Sequence, residues 1–198
     1  MRVIAGRFRS RVLDAPVGRR TRPTSDRLRE TLFNVLTPRM EGARFLDLYA
    51  GSGAVGLEAL SRGAREAVMV ERDEAALNVL RGNVAKLGLA AECRTHASGV
   101  AAWLKRGRTK AGEFDVVFLD PPYEAEDEYA LALGLLGAAE GEHGGLLARD
   151  GVVVAEHRKK QELEVRYGRL RRTRVLKQGD AALSFYCVEA QTTGADKG

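Results

Sequence analysis

From Arg44 onward, short apolar runs alternate with segments whose apolar residues recur at helical spacing. The runs Arg44–Tyr49, Glu66–Glu71, 91–96, Asp115–Asp120 and Gly151–Glu156 predict buried strands. Helices are predicted over 54–62, along the face Leu77, Leu80, Val84 and Leu87 up to Gly88, around Trp103, and over 127–138. Strict βαβα alternation implies a mostly parallel sheet with helices on both faces. Ahead of it, Leu28, Leu32, Val35 and Leu36 mark a helix capped by Thr24 or Ser25 and ended near Pro38. Residues 2–8 and 11–16 read as a small β-hairpin turned at Arg9–Ser10, with 17–23 as a link. Residues 162–176 and 183–189 read as a second hairpin turned at Gly179–Asp180, an antiparallel edge. Loops are expected at 107–112 and 141–145. The expected organisation is an extension over 1–23, a main domain over 24–189 and a frayed tail over 190–198.

Composition narrows the class. A chain of 198 residues buries roughly 70% of its unfolded surface, so neither disulfides nor metal are needed for folding. Cys93 and Cys187 stand far apart with no CxxC, which suits free thiols in a reducing compartment. Charge interrupts the first seven residues before a signal-like apolar run forms, and the longest uncharged apolar stretch, Tyr129 to Ala139, is eleven residues. That is too short to span a bilayer, and a soluble cytoplasmic protein with no membrane partner is expected. The net charge of +5 is unevenly spread: residues 1–29 and 158–177 each carry +7, leaving −9 for the remainder. Two basic ends around an acidic middle suit a polyanion lying across a body that holds another site.

The central motif is Gly51–Ser52–Gly53–Ala54–Val55–Gly56 after the first strand, with Glu71 twenty residues beyond Gly51. Glycines allow close backbone approach to a ligand, a helix start offers N–H groups, and an acid at this spacing takes ribose hydroxyls. An NAD-linked oxidoreductase fits this much. Asp47, inside the strand, points elsewhere: a carboxylate aimed at the ligand favours a cationic group, such as the amino group and sulfonium of S-adenosylmethionine (SAM). A structural role for Asp47, capping the turn through backbone N–H groups, stays open beside it.

Asp120–Pro121–Pro122–Tyr123 ends the fourth strand. The prolines fix an extended backbone whose carbonyls project outward, and ligands in open parallel sheets bind beyond the strand C-termini. The Asp120 carboxylate and Pro121 carbonyl suit the two N–H bonds of an exocyclic amino group on a nucleobase, with Tyr123 stacked on the base. Catalysis there is positioning and electrostatics, with no metal.

Asp47–Leu–Tyr–Ala–Gly–Ser–Gly53 and Asp120–Pro–Pro–Tyr123 together resemble the class I SAM-dependent amino-methyltransferases. More narrowly, Gly6 and the basic hairpin, Arg22–Pro–Thr–Ser–Asp–Arg27–Leu–Arg–Glu30–Thr–Leu–Phe33–Asn34, the run Gly51 to Gly63 and Gly179 resemble the bacterial 16S rRNA (guanine(966)-N2)-methyltransferase family over nearly the whole length. The resemblance implies a Rossmann-like, seven-stranded sheet, SAM as donor, and the N2 amino group of a guanine in 16S rRNA or a small-subunit particle as acceptor. It implies that Asp47, Gly51 and Gly53 hold the methionine part of SAM and Glu71 its ribose, that Thr24, Phe33 and Asn34 border the cofactor, and that Asp120 to Tyr123 form the acceptor site. Ala50, Ser52, Arg72 and Ser98 complete the expected cofactor set. Relatives often carry Asp or Asn after the third strand; His96–Ala97–Ser98–Gly99 departs from this, leaving the adenine contact to Ser98 or a backbone group.

Arg7, Arg9, Arg11, Arg20, Arg22 and Arg27 are candidates for RNA phosphates, which position without reading sequence. His157 and Trp103 read as structural residues. A monomer is expected. An N6-adenine methyltransferase and a non-catalytic RNA-binding factor are the competing functions.

Overall fold

The computed structural model describes residues 1–16, 26–106, 113–122, 125–138 and 145–189. Helix α1 (Asp26–Leu36) and a 3₁₀ turn (Thr37–Arg39) precede β1 (Arg44–Asp47), α2 (Ala54–Ser61), β2 (Glu66–Glu71), α3 (Glu74–Leu87), β3 (Cys93–Ala97), α4 (Val100–Arg106) and β4 (Phe114–Leu119). Then come α5 (Asp127–Gly137), β5 (Leu147–Arg158), β6 (Arg166–Tyr167), β7 (Leu170–Gln178) and β8 (Ala181–Val188). The strands form one sheet in the order β3-β2-β1-β4-β5-β8-β7-β6. Strands β1 to β5 are parallel, and β8, β7 and β6 continue antiparallel.

Side-chain alternation sorts the strands into two cores. Phe45, Ala67, Met69, Val116, Phe118, Val152, Val154, Leu183 and Phe185 face α1, α2 and α3. Leu46, Leu48, Val68, Val70, Val117, Leu119, Val153 and Ala155 face α4 and α5. Each large apolar side chain removed from water here contributes ~1.5–3 kcal/mol, and period-two alternation is what puts both sets inside. Trp103 is buried between His96 and Phe114, a core position.

Two expectations change in detail. Among the described residues the sheet has eight strands, not seven, because the stretch read as one strand over 162–176 is broken by a turn. Gly168 adopts φ +55°, and a Cβ there would lie 2.2 Å from the Gly137 carbonyl oxygen. That close approach, with Arg169 N–H donating to the same oxygen at 2.7 Å, splits off the two-residue β6. The amino-terminal hairpin is likewise shorter than expected: only Arg2 and Val12 form a bridge, and Ile4 to Ser10 loop outward onto α2. The link 17–23, the loops 107–112 and 141–144, and the tail 190–198 lie outside the described residues.

The amino-terminal loop is wired to the body by buried polar groups. Glu58 of α2, wholly buried, accepts Ile4 N–H at 2.7 Å and Ala5 N–H at 3.0 Å, and its other neighbours are Arg62 at 2.7 Å and Arg29 at 3.9 Å. Ser61 accepts from Phe8 N–H and donates to the Ala5 carbonyl. Gly6, at φ +80°, is pressed so tightly to Ser61 that a Cβ would sit 1.8 Å from its carbonyl oxygen. Only glycine fits this contact.

Candidate active site

Because β1 lies between β2 and β4, the chain reverses its winding direction at the β1/β4 boundary. A crevice opens at such a switch point, beyond the strand C-termini. The Cα register pairs Asp47 with Met69 on β2 and with Phe118 on β4, and pairs Phe118 with Val154 on β5. Two residues further along each neighbour stand Glu71, Asp120 and Glu156, all continuing the face toward α1–α3. Adjacent strands lie ~4.8 Å apart, so four carboxyl residues run across the top of one face.

The glycine turn is held from below. Ala50 N–H donates to the Val70 carbonyl and Gly53 N–H to the Ala50 carbonyl. Gly51 N–H donates to Glu71 Oε2 at 2.9 Å, while Glu71 Oε1 accepts Asp73 N–H at 2.7 Å. Gly51 (φ +53°) has open space where a Cβ would stand, whereas Gly53 (φ +83°) is close to Leu80 and Met69. At Gly56 a Cβ would lie 2.6 Å from Met69 Sδ. The three glycines thus divide their work: the first leaves room above the turn, and the others bring α2 down on β2.

Asp47 is 1% exposed. Its Oδ2 accepts Gly56 N–H at 3.2 Å, the capping role, while Oδ1 is buried without a hydrogen-bond partner. Burial is the main force raising this carboxyl to about 7, with nearby Glu71 adding to it and the Gly56 N–H opposing it. A buried acid with one idle oxygen keeps acceptor capacity for a further donor.

The remaining candidates distribute unevenly. Ser52 is buried, with its carbonyl accepting Asn83 Nδ2 at 3.0 Å. Ser98 N–H donates to the Glu71 carbonyl, and its hydroxyl donates to the Gly99 carbonyl and accepts Arg106 Nη2. Arg72 pairs with Glu128 at 3.9 Å, and Glu128 also accepts the Tyr49 hydroxyl at 2.8 Å, which ties α5 to the ends of β1 and β2. Asp120 is half-buried, Pro121 buried and Pro122 exposed, its carbonyl accepting Ala125 N–H at 2.8 Å. The Phe33 ring is fully buried against Phe45 and beneath the guanidinium of Arg62, the residue that follows α2. Its aromatic bulk serves the core. Asn34 is exposed.

Arg7, Arg9, Arg11 and Arg27 are exposed, Arg7 pairing with Glu92 at 3.1 Å. Thr24, Tyr123, Arg20 and Arg22 lie outside the described residues. Sequence reasoning missed Asn83, wholly buried on α3. Its amide accepts Asp14 N–H at 2.8 Å, donates to the Asp14 carbonyl at 3.1 Å and reaches the Ser52 carbonyl, joining the amino-terminal arm to the glycine turn. The signal was an amide interrupting the apolar face between Leu80 and Leu87. His157, as expected, is structural: burial lowers its pKa, and its ring lies 2.8 Å from the Ser184 hydroxyl and 2.9 Å from the Arg158 carbonyl oxygen.

An NAD-type doubly wound sheet runs 3-2-1-4-5-6; here antiparallel β8 occupies the place beside β5. Strand order, glycine turn and buried acid together define the fold of the SAM-dependent methyltransferases. The chain belongs to the family described as Conserved hypothetical protein 95, whose model matches residues 1–187. YlbH of Bacillus subtilis, named provisionally as an rRNA methyltransferase, is 37% identical over 186 residues, 94% of this chain and 98% of that one. Ribosomal RNA small subunit methyltransferase D of Escherichia coli is 44% identical over 123 residues, 62% of this chain and 60% of that one. Among solved structures, the Escherichia coli protein yhhF, titled provisionally a methyltransferase, superposes with a TM-score of 0.80 at 35% identity, covering 96% of this chain and 99% of that one.

Proposed function

We propose that the chain transfers a methyl group from SAM to the exocyclic N2 amino group of a guanine in 16S rRNA, free or in a small-subunit particle. The observation that carries this reading is the placing of Asp47 and Asp120 on one face at the switch point, Asp120 two residues beyond the Phe118 that pairs with Asp47. The names of the relatives support the ribosomal substrate, and the exposed arginines of the amino-terminal arm supply phosphate contacts. No helix among the described residues is long and apolar enough to cross a membrane. The protein acts as a monomer in the cytoplasm.

The residues present fit SAM. The idle, buried Asp47 Oδ1 suits its ammonium group, and Glu71, whose oxygens each accept one backbone N–H, retains acceptor capacity for ribose hydroxyls. When bound, SAM supplies a methyl carbon made electrophilic by its sulfonium. The chain's task is then to present a nucleophile. A guanine amino nitrogen is a poor one because its lone pair is delocalised into the ring. Asp120 accepts one of its N–H bonds and Pro121 C=O the other, which turns the lone pair out of the ring plane and stabilises the positive charge that nitrogen acquires. The surplus proton leaves to water or through Asp120. Tyr123 stacks on the base.

Calorimetric titration tests the donor. SAM is expected to bind and NAD not; the reverse would overturn the assignment. Asp47 gives this binding a pH signature. Its folded pKa of about 7 lies above the unfolded value, so keeping the group buried destabilises the ligand-free fold progressively from about pH 4 to 7, by about 4 kcal/mol in all. A cationic ligand prefers the ionised carboxylate, so SAM affinity rises through pH 7 and then levels. Asp47→Asn is expected to remove that rise, to weaken SAM, and to flatten the pH dependence of stability in the ligand-free chain.

A further inference from the structure

We infer that Lys159, Lys160 and Lys177, at the crevice end of β5 and β7, grip the RNA phosphates that flank the methylated nucleotide. This rests on the acceptor site proposed above and names the surface that presents RNA to it.

Strand direction puts these lysines beside Asp120. Strand β8 runs antiparallel to β5 and β7 antiparallel to β8, so β7 points the same way as β5 and ends at the crevice. Leu119 of β4 pairs with Ala155, which sets Asp120 level with Glu156. Glu156 pairs with Leu183 and Leu183 with Leu176, so Lys177 lies one residue beyond that level, three strands from β4. Lys159 and Lys160 follow the last residue of β5, one strand from β4, and stand past the strand ends. At ~4.8 Å per strand the three line one flank of the acceptor site. Their backbone is fixed there: Lys159 N–H donates to the Asp180 carbonyl at 2.7 Å and Gln161 N–H to the Arg158 carbonyl at 2.9 Å, tying the end of β5 to the turn between β7 and β8.

The charges on this hairpin are treated differently at its two ends. Lys159, Lys160 and Lys177 are exposed and form no ion pair among the described residues. Away from the crevice, Arg166 and Arg171 both pair with Glu189, and Arg172 donates to the Leu163 carbonyl at 2.7 Å. Residues 158–162 and 174–180 still sum to +3 with Glu162 and Asp180 included. Ammonium groups on exposed, flexible stems suit phosphate oxygens, which hold a strand in place without reading its bases.

The amino-terminal loop serves the other end of the sheet. Helix α2 starts at the glycine turn and runs back from the crevice. Arg7 N–H donates to the carbonyl of its last residue, Ser61, at 2.8 Å, and the Arg7 guanidinium pairs with Glu92, which precedes β3. A phosphate contact through Arg7 therefore falls farther from the acceptor base than one through the three lysines.

The test compares Lys159→Ala/Lys160→Ala/Lys177→Ala with Arg166→Ala/Arg171→Ala on a small-subunit RNA fragment that contains the target nucleotide. The triple variant is expected to raise KM for RNA about 10-fold at 0.1 M salt and to reduce the salt slope of log Kd by about 2, with kcat at saturating RNA and SAM affinity unchanged. The double variant should stay within about twofold of wild type, and the three Lys→Arg changes together should retain wild-type values. Uncharged methylphosphonate linkages beside the target nucleotide should weaken binding by the wild-type chain and leave the triple Ala variant unaffected. Wild-type KM and slope in the triple Ala variant, equal losses in the double variant, or equal methylphosphonate effects in both chains would overturn the inference while leaving RNA methylation intact. A wild-type chain that transfers no methyl group to this RNA would instead remove the acceptor reading, and the inference with it.

Discussion

Asp120→Asn is expected to lower methyl transfer to small-subunit RNA by about 10²–10³-fold, the usual cost of removing one preorganised group that meets developing charge. SAM affinity should change little, because Asp47, Glu71 and the glycine turn lie on other strands and are tied by their own hydrogen bonds. Asparagine keeps the shape and one acceptor oxygen but carries no charge to oppose the positive nitrogen, so the loss should appear in kcat more than in KM. Single-turnover transfer of a labelled methyl group, with SAM binding measured in parallel, separates the two quantities. Full transfer by Asp120→Asn would sink the role assigned to this residue. Loss of SAM binding would relocate it to the donor side.

Glu58→Ala should be the most destabilising single change at a position outside the proposed chemistry. It would leave the wholly buried Arg29 beside the positive charge of Arg62, and strip the Ile4 and Ala5 N–H groups of their acceptors. Burial already lowers the Arg29 pKa against the raising influence of Glu58 and Asp26. Breaking a buried ion pair by removing one partner costs about 3–5 kcal/mol, which for a domain of this size is roughly 10 °C in Tm. Lys86→Ala removes only an exposed pair with Asp14, worth ~0–1 kcal/mol, and serves as the comparison. Thermal unfolding of both variants decides it: similar small shifts would mean the amino-terminal arm is not anchored through Glu58.

Periodicity made the body of the fold legible. Apolar runs at β1, β2, β4 and β5 and the stripe Leu77–Leu80–Val84–Leu87 carry the information locally, and the two faces they predict are the two cores. The turn at Gly179–Asp180 was equally visible, since residues joining two strands so tightly must include one tolerant of positive φ. The position of Asp120 near Asp47 followed from the topology rule for parallel sheets. What escaped depends on contacts distant in sequence. Gly6 is readable as a glycine, but the carbonyl of Ser61 that requires it is 55 residues away. Arg29 and Glu58 were invisible as a buried pair because charged residues at helical spacing ordinarily face water. Phe33, placed at the cofactor by resemblance, has its ring stacked on Phe45 in the core, a contact no local pattern announces. Glu156 ended a predicted strand, yet only the register of β4 with β5 sets it beside Asp120.

The central claim is the identity of the acceptor atom. Small subunits from a strain lacking this activity, incubated with the purified chain and SAM, can be digested to nucleosides and to mapped fragments for mass spectrometry. One N2-methylguanine at a single position is the predicted product. N6-methyladenine, or no methylated nucleoside at all, would contradict the account.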